Sequence, residues 1–193
     1  TTGQSAEKVL VHPRVVTSGA EVGAPPSDAV ILIGKDEELF KKSWVGKGEE
    51  GAPHWTFEDG VVTVSRDKGR GSLKTREVFK DIQLHLEWRS PKTDKKGQAG
   101  TNSGLFLMGR YEIQILNSYE NETYPDGQAG AIYKQSIPLV NASRPQTVWQ
   151  SYDIVFKAPR FNEDGSLKTP AYITAFHNGV LIQDNFAIVR PTT

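Results

Sequence analysis

From Phe79 to Arg89 the chain alternates, with Ile82, Leu84, Leu86 and Trp88 on one side and Gln83, His85, Glu87 and Arg89 on the other. That is the period of a strand with one buried face. Tyr111 to Asn117 repeats it, Tyr111, Ile113 and Ile115 opposing Glu112 and Gln114. Further strands are predicted at Ala29–Ile33, Gly60–Ser65, Ser72–Thr75, Leu105–Met108, Tyr152–Lys157, Tyr172–His177 and Val180–Gln183. Asp59-Gly60 and Asn178-Gly179 accept the positive φ of tight hairpins. One or two helical turns are expected at Asp36–Lys42, and no longer helical period occurs. Short alternating strands broken by Gly, Pro, Asn and Asp predict an all-β fold, an antiparallel β-sandwich or jelly roll.

Residues 1–28 read as a tail. They hold several Gly and Pro and only brief extended pieces at Val9–Val11 and Val15–Val16. Residues 29–193 read as one jelly-roll domain. Its longest irregular stretch, Ser118–Gln150, contains Tyr119, Tyr124, Asp126, Tyr133, Asn141, Arg144 and Trp149. Long irregular connections in compact domains are often functional, and this one is placed to wall a binding site.

Charge and composition narrow the function. Among 193 residues, 23 Lys and Arg balance 23 Asp and Glu, which argues against a nucleic-acid partner. The longest apolar run, Ala29–Ile33, falls far short of the ~20 residues of a membrane helix. There is no Cys, so disulfides, thiolate metal sites and cysteine nucleophiles are excluded. The chain begins at Thr1; a signal peptide, if the protein has one, lies before it.

The polar faces carry the candidate chemistry. If the two alternating strands lie close in one sheet, Glu87 and Glu112 converge, and paired carboxylates in different environments perform acid/base work. The plainer alternative is the solvated face of a half-buried sheet, with Arg89 as an ion-pair partner of Glu87. Along the second strand Gln114 and Leu116 follow Glu112 at alternate positions. Gln is neither nucleophile nor proton donor, so a two-carboxylate retaining mechanism is poorly served there. His12, His54, His85 and His177 show no HxH or HxxxH spacing. No metal ligands are assigned and no cofactor is required, although a divalent ion held by loop oxygens stays open. Phosphate-binding glycine loops and a GxSxG elbow are absent. Trp44, Trp55, Trp88 and Trp149 are core or sugar-stacking residues.

The run Gly109–Tyr119 (GRYEIQILNSY), preceded by Asn102-Ser103-Gly104, resembles the 3-keto-disaccharide hydrolase family, relatives of which are known as glycosyl hydrolases. Asp126–Tyr133, Pro138–Pro145 and Phe176–Val180 carry the same resemblance, which spans about residues 36–185. It implies a concanavalin A-like jelly roll, exported to the bacterial periplasm or cell surface, with a carbohydrate substrate; protein partners stay unknown. It further implies elimination chemistry: a ketone at carbon 3 acidifies the proton on carbon 2, and no carboxylate nucleophile is needed. On that footing Glu112 is the first candidate acid/base residue and Glu87 the second. Arg89, Asn102, Gln114, Tyr133 and His177 are candidates for binding hydroxyls or the ketone. The family pattern also leads one to expect a further strand, with a Gln-Asp-His-Gly-like turn, after Val189–Thr193. Two other readings stay open: a carbohydrate-binding module without chemistry, and an interaction domain presenting residues 118–150.

Overall fold

A computed structural model describes residues 12–21, 23–46, 54–64 and 71–192. The extended Val9–Val11 and the end of the strand at Ser65 lie outside them. The chain divides into two compact units, Thr1–Glu77 and Val78–Thr193, where the sequence suggests a tail to residue 28 and one domain beyond it. No helix among the described residues is long and apolar enough to cross a membrane.

In the first unit, helix α1 (Glu37–Ser43) starts where the Asp36 carboxylate accepts the Glu38 N–H at 2.9 Å. Glu37 and Glu38 occupy its first turn and Lys41 and Lys42 its last, each sign favourable to the helix dipole. Strand β1 (Trp44–Gly46) is the later partner of β4 (Leu73–Thr75), and β2 (Thr56–Glu58) forms a hairpin with β3 (Val61–Thr63). Asp59 and Gly60 turn that hairpin at φ +48° and +78°, as their sequence predicts. The strand expected at 29–33 is not formed. Val30, Ile31 and Ile33 stand exposed in irregular backbone; an apolar run with no neighbouring strand has no ladder to join.

The second unit is an antiparallel sandwich. One layer has the order β12 (Val180–Ile188), β11 (Ala171–His177), β8 (Gln150–Lys157), β5 (Ile82–Trp88). The facing layer is the hairpin of β6 (Asn102–Leu107) and β7 (Tyr111–Leu116). Residues 130–133 extend this layer on the far side of β7. Gly130 and Tyr133 donate backbone N–H groups to the carbonyls of Gln114 (2.9 Å) and Glu112 (3.1 Å), and Gln114 donates to Ala131 (2.9 Å). Within the long connection Ser118–Gln150, segment 130–133 thus pairs with β7. A small hairpin of β9 (Arg160–Phe161) and β10 (Leu167–Thr169) lacked a sequence signal.

Alternation explains the core. Tyr111 and Ile113 from β7 meet Tyr152, Ile154 and Phe156 from β8 and Ile173 from β11 in one buried cluster, the Tyr111 and Phe156 rings lying 5.9 Å apart. Across this core the fully buried Tyr152 hydroxyl donates to the Gln114 carbonyl at 2.7 Å. Burial raises the Tyr152 pKa, keeping the proton in place for that bond. Tyr152→Phe is expected to cost about 1–2 kcal/mol in urea unfolding, because it removes one buried hydrogen bond while Gly130 still satisfies the carbonyl.

Candidate active site

The outward face of the β6–β7 layer gathers most of the expected polar residues. Glu112 sits mid-β7 between core-facing Tyr111 and Ile113 and so points away from the core. Its carboxylate lies across the neighbouring strand, over Gly104 of β6. A Cβ at residue 104 would come within 2.2 Å of Glu112 Oε1 and 2.9 Å of its Cδ. Glycine at 104 therefore leaves the space that the Glu112 carboxylate occupies. Half-buried in this way, Glu112 has its pKa raised by desolvation.

Two residues along, Gln114 is fully buried. Its Nε2 donates to Gln98 Oε1 at 3.1 Å, and the same oxygen accepts from Asn102 Nδ2 at 2.8 Å. Gln98 Nε2 in turn donates to Thr123 Oγ1 (3.1 Å) and to the Gly127 carbonyl (2.9 Å). In this orientation Gln114 Oε1 faces Glu112 Oε1 and the Ser103 carbonyl; exchanging its oxygen and nitrogen lets the amide donate to them at 3.3 and 3.1 Å. The first orientation suits a protonated Glu112, which then donates to the amide oxygen. The second suits the carboxylate.

Tyr133 lies on the other side of Glu112. Its hydroxyl is 2.8 Å from that of Tyr124, and Lys134 Nζ sits 3.3 Å from the Tyr124 ring centroid and 3.3 Å from Asp126 Oδ1. The Tyr124 pKa is pushed up to about 12, first by its bond to Tyr133 and then by burial, with Asp126 and Glu112 adding negative charge. Thr101, at the entrance to β6, has φ +105° and a buried Oγ1 without a partner. A β-branched residue rarely adopts such backbone, so strain is stored beside Asn102. Thr123 also borders a polar hollow of about 620 Å³ lined by Glu122, Asn121 and Asn141 among others.

Glu112, Gln114, Asn102 and Tyr133 are thus brought together; three other expected residues are not. Glu87 projects from β5, whose opposite face packs on the core, so it leaves the sandwich on the side away from Glu112. On that outer face His85 Nδ1 meets Asp153 Oδ1 at 2.7 Å. The expected Glu87–Glu112 convergence fails because the two strands lie in opposite layers. Arg89 places its guanidinium 4.8 Å from the Trp149 ring centroid. His177 is only 1% exposed, stacked on Trp88 with centroids 5.8 Å apart, with Nε2 3.1 Å from Gln150 Oε1. It is a core residue, so no substrate reaches it. Gln98 and Tyr124 were not singled out as site residues; only Tyr124's place in the long connection pointed to it. Among the described residues no three His, Asp or Glu side chains gather as metal ligands.

The geometry makes two predictions. In Gly104→Ala the new methyl displaces the flexible Glu112 carboxylate towards solvent, so its NMR titration midpoint should fall towards the ordinary carboxylate value with the fold retained. Burial, and then Arg144, lowers the His177 pKa from 6.5 to about 4. The folded state therefore prefers neutral imidazole. The stability this contributes is complete above pH 6.5 and is lost as pH falls towards 4, up to about 3 kcal/mol. Unfolding of His177→Phe, compared with the parent across that window, should lack this share of the acid sensitivity.

Comparison with known proteins follows the same lines. A family described as the 3-keto-alpha-glucoside-1,2-lyase-like domain matches residues 34–193. The crystal structure of a putative glycosyl hydrolase from Parabacteroides distasonis is 40% identical, with a TM-score of 0.87 over 97% of this chain and 79% of that one. A second so described, from the same organism, shares the fold at 17% identity and a TM-score of 0.55, over 82% of this chain and 72% of that one. No curated protein matches the chain.

Proposed function

The chain belongs to the 3-keto-alpha-glucoside-1,2-lyase-like family, and we propose from this that it is a glycan-processing enzyme that cleaves 3-keto-glycosides with Glu112 as the acid/base residue. The observation that carries the reading is a half-buried carboxylate, Glu112, whose neighbour along the strand is the neutral amide of Gln114. Hydrolysis through a glycosyl-enzyme needs a second carboxyl group about 5–5.5 Å away; on β7 the next outward position holds Gln114 instead, and Glu87 leaves the opposite side of the sandwich.

Elimination asks for less. The Glu112 carboxylate takes the proton from carbon 2, and the C–H electron pair forms an enolate with the carbon 3 ketone. When the enolate collapses, the ketone re-forms, a carbon 1–carbon 2 double bond appears, and the bond from carbon 1 to the glycosidic oxygen breaks. That oxygen leaves with the proton Glu112 has taken, which restores the carboxylate, and water adding across the double bond completes net hydrolysis. The raised pKa of Glu112 suits this work, since general bases act best when their pKa approaches the working pH. The exposed Asn102 supplies an amide for sugar hydroxyls beside it, while Gln114, fully buried, supports that face from within.

Incubation with glycosides and their 3-keto counterparts, followed by mass spectrometry, tests the reading. Turnover of the keto compounds alone is expected. Glu112→Gln should lower it about 10²- to 10⁴-fold, whereas Glu87→Gln should leave it intact. The sign of the pH dependence is fixed by the base role: activity is present with Glu112 ionised and is lost as pH falls through its pKa, so the acid limb should lie above 4.5, the ordinary Glu value. Sugar binding in calorimetry without turnover of any keto compound would overturn the enzyme in favour of a binding module.

A further inference from the structure

We propose that the Tyr124–Tyr133 hydroxyl pair is a catalytic donor that stabilises the oxygen of the enolate formed when Glu112 takes a proton. This rests on the elimination reading above. The placement comes from the strand ladder. Ile132 bridges Ile113 and Tyr133 donates its N–H to the Glu112 carbonyl at 3.1 Å. With Ile113 and Ile132 both turned to the core, their neighbours Glu112 and Tyr133 face outward together. Tyr124 is held against Tyr133 from below and above. Its ring lies on the Gly127 backbone so closely that a Cβ there would come within 1.9 Å of Tyr124 Cε2, and Lys134 Nζ covers it at 3.3 Å from the ring centroid.

The two phenols carry two protons. One bridges their oxygens, 2.8 Å apart; whichever way it points, the second O–H has no protein acceptor among the described residues. A spare O–H, backed by a second phenol, strengthens as a donor when negative charge develops on its acceptor. Both rings are partly exposed, so a ligand above Glu112 reaches them. A carbon 3 oxygen is such an acceptor, three bonds from the carbon 2 proton that Glu112 removes. No bond to the pair forms or breaks in the step: the electron pair released at carbon 2 ends on the oxygen, and the phenol shares its proton with it. The high Tyr124 pKa, about 12, keeps the pair protonated and able to donate.

The test separates hydroxyl from ring, and enolate formation from cleavage. Free 3-ketoglucose in D₂O reports enolate formation as loss of the carbon 2 proton signal in NMR; a 3-keto-glucoside reports cleavage. Tyr133→Phe and Tyr124→Phe keep both rings and remove one hydroxyl each. The expected result is a fall of about 10²-fold in kcat for exchange in at least one of them, with KM little changed; a stacking role would move neither. Replacing Tyr133 by 3-fluorotyrosine, which keeps shape and lowers the phenol pKa, gives a second reading should a Phe variant fold poorly: the alkaline limb of exchange should move to lower pH. Exchange as fast in both Phe variants as in the parent, with Glu112→Gln inactive, overturns the pair and leaves the elimination reading standing. Exchange without cleavage overturns the cleavage reading alone, and the Phe variants still decide the pair. No exchange by the parent overturns both.

Discussion

Gln114 is bonded from every side, and the second unit depends on it. Its N–H reaches Ala131, and its carbonyl takes the N–H of Gly130 and, through the core, the hydroxyl of Tyr152 at 2.7 Å. One residue thereby joins β7 to the wall segment and the front layer to the back. Its side chain, fully buried, is held by Gln98 at 3.1 Å. Unmet polar groups at such depth cost far more than met ones contribute, so this arrangement admits few alternatives. Glu112, two residues away, inherits its position from the same ladder. The precision of the site is a by-product of the core.

Alternation made the layers legible in the sequence. Ile82 to Trp88 and Tyr111 to Leu116 are strands because period-two patterns bury one face, and Asp59-Gly60 and Asn178-Gly179 turn where their tolerance of positive φ allows. Alternation does not say which layer a strand joins. Glu87 and Glu112 belong to strands of the same pattern, yet face opposite ways because the strands sit across the core from each other. His177 misled for a related reason: its place at a strand end beside a turn suggested access, but Trp88 and Tyr152 enclose it, with centroids 5.8 and 4.9 Å away. Residues 29–33 show the limit of composition, an apolar run left without a partner strand.

The parts of the site that escaped the sequence are contacts between distant segments. Gln98 matters because it spans Gln114, Asn102, Thr123 and Gly127, and nothing local marks it. Gly104 and Gly127 matter because of what lies on them, a carboxylate and a phenol ring, and not because of their φ angles. The resemblance carried by residues 109–119 and 126–133 marks two stretches that the ladder brings together. What it left open was the second carboxylate, which only the assignment of strands to layers decides.

The amide at residue 114 has a physical rationale that follows from depth. A carboxylate there would be fully buried and would face Glu112 Oε1 at the 3.3 Å now spanned to the Gln114 amide. Two such groups do not both ionise; one pKa rises steeply and the shared proton is held. Glu112 would then lose its freedom to take up and release a proton. An amide avoids that conflict, because it carries no charge. Gln98 and Asn102 meet it with further amides, and none of the three adds a charge. With an amide at 114 and Glu87 in the opposite layer, the face does not offer the paired carboxylates that a glycosyl-enzyme mechanism needs.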